Sequence, residues 1–272
     1  MLRTMTDLDG YAIRATDGDI GHVKDVYFYD RQWVARYLIV EAGTWLASRK
    51  VLISPFAIGR PDWTAKVLPV SITKEQVKGS PDIDTDKPVS RQHEMQYLWY
   101  YGYPDYRGGM GPWGNELTPS MLLTAASSGR PPPGKDEVQL SRGSEHLQAG
   151  QDPEGDPHLR SCKVVMKCHI DASDGALGHV ENLLIDEETW AIRYLIVNTS
   201  NWWLGHQVLI APRWIKEVRW SDHTVAINAT RQSLKDAPSY DAAISLSGDQ
   251  EKGLYQHHGR VAPPGTTTRT TP

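Results

Sequence analysis

The chain has 272 residues, and its 39% hydrophobic and 23% charged residues are ordinary proportions for a globular protein. Its formal net charge of -4 and the lack of a basic stripe argue against a generic binder of the nucleic-acid backbone, so no nucleic-acid partner is expected. Apolar runs such as YLIV and VLI are of strand length, below the roughly 18 residues of a membrane-spanning helix. Since the N-terminus lacks an apolar signal segment, we expect a cytoplasmic protein.

The first part of the chain predicts short strands that are separated by turn residues. The Asp17-Gly18 pair indicates a turn, because glycine takes a positive φ without steric cost. Pro55 ends a strand, since proline lacks the N–H that a central ladder needs. The strands before and after the polar turn DRQ form a hairpin. The predicted strands are YAIRA (11–15), Gly21 to Tyr29, Trp33 to Val40, KVLIS (50–54) and a strand near AKVLPV (65–70).

Two helical segments and a segment of different composition follow these strands. The run TKEQVKGSP predicts a short helix with Thr73 as N-cap that stops before Pro81. A further helix is predicted from Arg91 to Tyr101, ending at Gly102. Residues 107–160 are rich in Gly, Pro and Ser, and we interpret them as a linker that is flexible from about residue 130 to 158. The tail 261–272 is predicted to be disordered.

The whole pattern occurs twice in the chain. Residues 11–102 align without a gap with residues 168–259, at an offset of 157, and about 27 of the 92 pairs are identical. A period this long indicates duplicated domains. We therefore predict a mainly β protein with domains at 8–106 and 161–260, each a small antiparallel β-barrel, closed or partly closed, followed by short helical segments. Because such a barrel has little core, we expect the two copies to pack as an intramolecular pseudo-dimer.

These motifs resemble the PRC-barrel family. The resemblance rests on the order DG-x-x-G-H-V, RYLIV, VLI-x-P, TKEQVKGSPDID and RQHEMQYLWYYGYPDY, much of which is seen twice, over roughly residues 8 to 106 and 165 to 259. That family includes the barrel of the photosynthetic reaction centre H subunit, where it influences electron and proton movement, and a ribosome maturation factor. The resemblance implies two tandem PRC-barrels that act mainly as a scaffold.

Two arginines interrupt otherwise apolar strands, and a buried charge needs a partner. Arg36 and its equivalent Arg193 are interpreted either as structural ion pairs, with Asp25 or Asp30 as the partner in the first copy, or as anion or partner contacts. Histidine titrates near neutrality, and the repeated His22 and His179 are therefore weighed as proton-handling residues against an ordinary role on a half-exposed strand. No metal site is predicted, because Cys162, Cys168, His257 and His258 lack the number and spacing of metal ligands. No catalytic or cofactor site is predicted either.

Aromatic residues are the most unusual local feature. They cluster in the predicted helix near Gly102 and in the loops EAGTWLASR and NTSNWWLGH. Such rings either fold back on the adjacent barrel or form a recognition patch, since Tyr and Trp concentrate binding energy at interfaces. The predicted interaction residues are Trp45, Tyr97, Trp99, Tyr100, Tyr101, Tyr103, Trp202 and Trp203.

The sequence favours a non-enzymatic interaction or adaptor protein that holds a protein partner. No nucleophile elbow, zinc-protease motif or phosphate loop is present, so no enzyme is predicted. The alternative is a peripheral accessory protein, related to the reaction centre H subunit, that docks on a membrane complex of photosynthesis or respiration and tunes electron transport. In that case the protein is expected at the inner or photosynthetic membrane.

Overall fold

The protein is mainly β in the computed structural model, which describes residues 1–81, 91–106, 111–127, 159–199, 206–241 and 246–261. Its strands are β1 (Leu2–Thr4), β2 (Ala12–Ala15), β3 (Gly18–Tyr29), β4 (Val34–Ala42), β5 (Lys50–Ile53), β6 (Val67–Pro69), β7 (Leu159–Ser161), β8 (His169–Ala172), β9 (Gly175–Asp186), β10 (Ile192–Asn198), β11 (Gln207–Ile210), β12 (Ile215–Arg219) and β13 (Thr224–Ile227). Its helices are α1 (Met5–Leu8), α2 (Lys74–Lys78), α3 (Arg91–Tyr101), α4 (Pro119–Ser127), α5 (Cys162–Val165), α6 (Arg231–Lys235) and α7 (Gly248–His257). No helix among these residues is long and apolar enough to cross a membrane.

The chain forms two compact units whose boundaries differ from those that the repeat predicts. The N-unit consists of Asp9–Arg160 and Glu188–Trp190. The C-unit consists of Met1–Leu8, Ser161–Glu187 and Ala191–Pro272. Residues 188–190 lie within the predicted domain 161–260 but belong to the N-unit. Residues 1–7 lie outside both predicted domains and belong to the C-unit, as does Leu8 of the predicted domain 8–106.

The sheet of the N-unit has the order β5-β4-β3-β2-β6, and β7 also pairs with β3. The predicted hairpin is confirmed, because β3 and β4 pair antiparallel along most of their length. The sheet is not wholly antiparallel, however: β6 lies parallel to β2 after the chain has passed through the intervening strands. Among the described residues the order ends at β5 and β6, so the pairings do not close this sheet into the predicted barrel.

The sheet of the C-unit repeats this arrangement with one additional strand. Its order is β11-β10-β9-β8-β13-β12, and β1 also pairs with β9. The pair β8 and β13 is parallel, like its equivalent in the N-unit. Within the described residues this sheet also has two ends, β11 and β12. The duplication seen in the sequence is thus a duplication of sheet topology.

The repeat begins earlier than the alignment of residues 11–102 indicates. Strand β1 pairs with β9, with Leu2 opposite Asp186, and the Nε of Arg3 lies 3.3 Å from a carboxylate oxygen of Glu187. In the N-unit, β7 pairs with β3, and the Nε of Arg160 lies 3.3 Å from a carboxylate oxygen of Asp30. Both arginines and both carboxylates are related by the same offset of 157. Each sheet therefore takes up a strand of the same type, held by an equivalent ion pair.

Part of the range 107–160, predicted as a linker, has regular structure. The chain makes isolated bridges at 111–116, and α4 follows. Trp113 is fully buried, and its Nε1 donates to the carbonyl of Thr189 at 2.7 Å. A single large ring thus anchors a segment whose glycine-rich composition suggested part of a linker. The predicted flexible stretch 130–158 lies outside the described residues, as does the predicted disordered tail beyond Val261.

The short helices form where the sequence predicts them. Thr73 caps α2 in a capping box with Gln76, in which each side chain bonds the backbone of the other residue. Helix α3 covers the predicted residues, and Gly102 follows it with a φ of 68°. The amide of Tyr103 donates to the carbonyl of Leu98 at 2.8 Å, which ends the helix in a Schellman motif. This motif directs the aromatic chain after Gly102 back toward the sheet.

Candidate functional site

The candidate site is α3 of the N-unit together with the aromatic residues that follow it. The inner face of this helix is fixed by Tyr97, which is only 2% exposed. Its hydroxyl donates to the carbonyl of Leu52 at 3.1 Å and accepts from the amide of Ser54 at 3.0 Å. Its ring lies 5.1 Å from that of Tyr37 at an interplanar angle of 80°. Burial raises the pKa of Tyr97, so this residue is an uncharged part of the core and does not reach a partner.

Tyr101 and Tyr103 cover the outside of this core. Their rings are stacked, with centroids 5.4 Å apart and planes 13° apart, and the ring of Phe56 lies 5.2 Å from Tyr103. Burial raises the pKa of Tyr101 to about 12 and that of Tyr103 still further. Both side chains are half-buried. Two of the predicted interaction residues therefore fold back on the sheet, which is the packing role that the sequence left open.

The outer face of α3 carries three exposed apolar side chains. Met95 is 39% exposed, Trp99 is 48% exposed and Tyr100 is 37% exposed. Met95 and Trp99 are four residues apart and share one side of the helix. The hydroxyl of Tyr100 donates to the carbonyl of Gln76 at 2.9 Å, which holds this ring at the surface. We call Met95, Trp99 and Tyr100 the aromatic face.

Met95 is absent from the interaction residues predicted from the sequence, although its spacing from Trp99 would have indicated it. It stands four residues before Trp99 in a helix whose bounds are predicted correctly. In the C-unit the equivalent residues are Lys252, Gln256 and His257, so the same face of α7 is polar. An exposed apolar face is therefore a property of one copy and not of the repeat.

The loop tryptophans give no second surface of this kind within the described residues. Trp45 is half-buried, and its Nε1 donates to the carbonyl of Ile20 at 2.7 Å. The Nζ of Lys74 lies 4.6 Å from the centre of its ring, a cation–π contact that covers the ring. Trp202 and Trp203 lie outside the described residues.

Arg36 is buried among rings and not beside the carboxylates proposed from the sequence. Its guanidinium carbon lies 3.9 Å from the ring centre of Tyr106 and 4.6 Å from that of Trp113. Its Nη2 donates to the side-chain oxygen of Gln32 at 2.8 Å. Burial lowers the pKa of Arg36 to about 10, against the attraction of Glu94. The cation is thus stabilised by aromatic faces and by a carboxylate distant in sequence.

Asp25 and Asp30, the two predicted partners of Arg36, are engaged elsewhere. The carboxylate of Asp25 accepts from the amide of Val26 at 2.7 Å. Asp30 pairs with Arg160. Bulges between β3 and β4 change the register of this hairpin between Val23 and Asp25 and between Tyr27 and Phe28, so the alternation of faces along the strand does not place these carboxylates beside Arg36.

A buried carboxylate at the inner side of the helix is common to both units. Glu94 accepts hydrogen bonds from the hydroxyls of Tyr37, at 3.2 Å, and Tyr106. Its equivalent Glu251 accepts from the hydroxyl of Tyr194 at 2.7 Å and lies 3.5 Å from the Nη2 of Arg193. Sequence reasoning missed both glutamates, although they are identical at the offset of 157. This Arg-Tyr-Glu cluster fastens each helix to its sheet.

The remaining polar residues singled out in the sequence do not form a reactive group. His22 is exposed and His179 is half-exposed, each on a strand of its own unit. Cys162 and Cys168 are buried free thiols, and burial raises the pKa of Cys168 to about 11, so it is not a thiolate at neutral pH. Among the described residues, no cluster of His, Cys, Asp or Glu could hold a metal ion.

Comparison of the whole chain with protein-family models and with curated proteins finds no match in either set.

Proposed function

We propose that the chain is a non-enzymatic interaction module of tandem PRC-barrel type, and that the aromatic face of α3 is the surface that binds a protein partner. The observation that carries the proposal is the exposure of Met95, Trp99 and Tyr100 on a helix whose opposite side is fixed in the core. Large apolar side chains on a rigid element are typical of the centre of an interface.

The chemistry of the aromatic face favours one class of partner. Its three residues carry no formal charge, and the neighbouring exposed Gln96 adds none. A partner that contributes apolar surface, such as the apolar side of an amphipathic helix or a shallow apolar groove, matches this face better than a phosphate backbone or an acidic peptide. Tyr100 is already held by its bond to Gln76, so little side-chain freedom is lost there on binding.

The internal repeat offers a matched test of this proposal. The double substitution Met95→Lys with Trp99→Gln gives α3 the residues of α7 at these positions. The tagged full chain and this variant are cross-linked in native cells and purified, and the membrane and non-membrane fractions are identified separately by mass spectrometry. The control substitutes Lys252→Ala and Gln256→Ala on the equivalent face of α7.

We expect a partner protein that is recovered with the wild-type chain and with the α7 control but not with the α3 variant. Equal recovery with all three chains would contradict the role of the aromatic face. Recovery of a membrane electron-transfer complex, lost with the α3 variant, would identify the partner as that of the alternative predicted from the sequence.

A further inference from the structure

A cavity of about 150 Å³ lies beside α7 in the C-unit. This volume is well above the roughly 15 Å³ that a single water requires. Its lining residues come from the 3₁₀ turn at Pro212–Trp214, from the turn after β13, from α6, and from the end of α7 with the residues that follow it. They are Trp214, Asn228, Ala229, Ser233, His257, His258 and Arg260. None of them is acidic.

Two buried ring nitrogens at this cavity lack hydrogen-bond partners among the described residues. Trp214 is only 3% exposed, and its Nε1 is buried and unpaired. The Nε2 of His258 is also buried and unpaired. An indole N–H can only donate, and leaving it unsatisfied is unfavourable. Both residues line the cavity, so their rings are among the groups that a molecule within it meets.

The surroundings of His258 favour a neutral ring with its proton on Nε2. Its burial, together with the nearby His257 and Arg260, lowers the pKa of His258 to about 4. The hydroxyl of Ser233 lies 3.5 Å from Nδ1 and can donate to it. The proton of the neutral ring then resides on Nε2, which becomes a second donor.

A positive charge completes this set of donors. Gly259 takes a φ of 61°, and the amide of Arg260 donates to the carbonyl of Tyr255 at 2.9 Å, so the end of α7 fixes the backbone of Arg260. Its guanidinium carbon lies 5.9 Å from the ring centre of Trp214. The residues that line the cavity thus carry an indole, a neutral imidazole and a guanidinium, a set of groups that suits an oxyanion.

The N-unit has different residues at the equivalent positions. The contact that holds the helix end is the same: the Nε2 of His257 lies 2.7 Å from the carbonyl of Ser233, just as the hydroxyl of Tyr100 bonds the carbonyl of Gln76. Tyr101 and Tyr103, which stack on each other, occupy the positions of His258 and Arg260, while Ala57 stands at the position of Trp214. At the positions of Tyr101 and Tyr103, which are packed rings in the N-unit, the C-unit thus has side chains that can donate hydrogen bonds.

We propose that this cavity binds a small oxyanion, with Trp214, His258 and Arg260 as its donors. The shared chemistry is that of inorganic phosphate and of a short carboxylate such as acetate, whose oxygens accept hydrogen bonds. The proposal concerns the C-unit alone and is independent of the aromatic face.

The test uses the full chain at neutral pH. Sodium phosphate and sodium acetate are titrated separately, with sodium chloride as the ionic-strength control, and indole N–H signals are followed by NMR, with the Trp214 signal assigned from Trp214→Phe. We expect this signal to shift saturably with at least one oxyanion and not with chloride, and which of the two binds more tightly distinguishes phosphate from carboxylate. Arg260→Gln is expected to weaken binding about tenfold or more.

Two further variants separate binding from folding. His258→Tyr with Arg260→Tyr introduces the residues of the N-unit and is expected to abolish the shift while the thermal unfolding transition remains. Arg213→Gln removes a nearby cation that stacks on Tyr255, at 4.9 Å, and is expected to leave binding unchanged. A Trp214 signal that neither oxyanion moves, or that moves equally in Arg260→Gln, would overturn the proposal and leave a cavity that holds water only.

Discussion

At the scale of single residues, the two copies share a glycine at a place where two backbones nearly touch. A Cβ atom built on Gly21 would lie 1.9 Å from the carbonyl oxygen of Glu41, and one on Gly178 would lie 2.0 Å from that of Asn198. Both obstacles are backbone atoms of the neighbouring strand, which cannot move aside as a flexible side chain can. The identity of this glycine in both copies thus has a steric cause within each hairpin.

Gly21→Ala is therefore expected to destabilise the N-unit strongly. Relief of the clash requires a backbone shift, and the loss of unfolding free energy is expected at the upper end of the roughly 1–3 kcal/mol that overpacking costs. Urea denaturation followed by fluorescence measures it. The control is Gly253→Ala in α7, where a Cβ meets nothing within 4 Å and a helix interior favours alanine. Equal stability of the two variants would contradict the steric argument.

His258 gives a pH dependence whose sign follows from the direction of its pKa shift. The folded-state pKa falls from its ordinary 6.5 to about 4, so the unfolded chain takes up a proton first as the pH falls. As the pH falls from 6.5 to 4, the wild-type C-unit therefore loses the part of its unfolding free energy that depends on an uncharged His258. His258→Gln lacks this group and is expected to lose less stability over that range, by about 1 kcal/mol after allowance for partial exposure. Denaturant titrations at both pH values provide the measurement. Parallel losses in the variant and the wild type would refute this assignment.

At the scale of elements, the bounds of α3 agree with the prediction, but the sides of the helix on which its rings lie were not predicted. Its bounds follow from a run of helix-compatible residues that stops at Gly102, and both ends agree with the prediction. Which rings face inward was not predictable from spacing, because the helix carries apolar residues on both sides. Burial assigns Tyr97 to the core and Trp99 to the surface. The sequence alone therefore located the candidate site without separating its packing residues from its exposed ones.

The short segment at Trp113 illustrates a limit of composition as a guide. Gly and Pro around it indicate a loop, yet the ring of Trp113 lies 5.0 Å from that of Phe56 and 5.5 Å from that of Tyr106, beside Arg36. One long-range anchor can order a segment that lacks periodicity of its own. Such an anchor cannot be recognised from the local sequence, because its partners are distant along the chain.

Trp113→Ala is expected to release the segment 111–127 while leaving the sheet of the N-unit folded. The substitution removes a fully buried ring, a change that typically costs about 3–5 kcal/mol, and here the loss falls on the attachment of this segment. Hydrogen exchange with mass spectrometry should show faster exchange in 111–127, with β3 and β4 still protected. Protection of 111–127 equal to that of the wild type would show that Trp113 is not the anchor.

At the scale of the whole molecule, the duplication was evident from the sequence, whereas the membership of each unit was not. The offset of 157 relates strands, turns and caps, and it carries over to the order of both sheets. It could not reveal that residues Met1–Leu8 belong to the C-unit, because strand pairing between distant segments leaves little trace in local pattern. The parallel pairs of each sheet escaped prediction for the same reason.

The composition of the N-unit leads to a prediction about Leu159. This residue begins the second repeat, yet it is buried in the core of the N-unit with Tyr27, Tyr37 and Tyr97. Leu159→Ala is expected to destabilise the N-unit by about 2–5 kcal/mol. Hydrogen exchange of β3 to β5 reports on that unit, and the matched control is Leu2→Ala, which should affect β9 and β10. Accelerated exchange of the C-unit by Leu159→Ala, with the N-unit unaffected, would contradict the assignment.

Site-specific photo-cross-linking tests whether the aromatic face of α3 binds a protein partner. A photoreactive phenylalanine analogue replaces Trp99 in one full chain and the equivalent Gln256 in another, and both are irradiated in native cells. We expect a discrete protein adduct at position 99 that is absent at position 256. No adduct at position 99, or the same adducts at both positions, would contradict it.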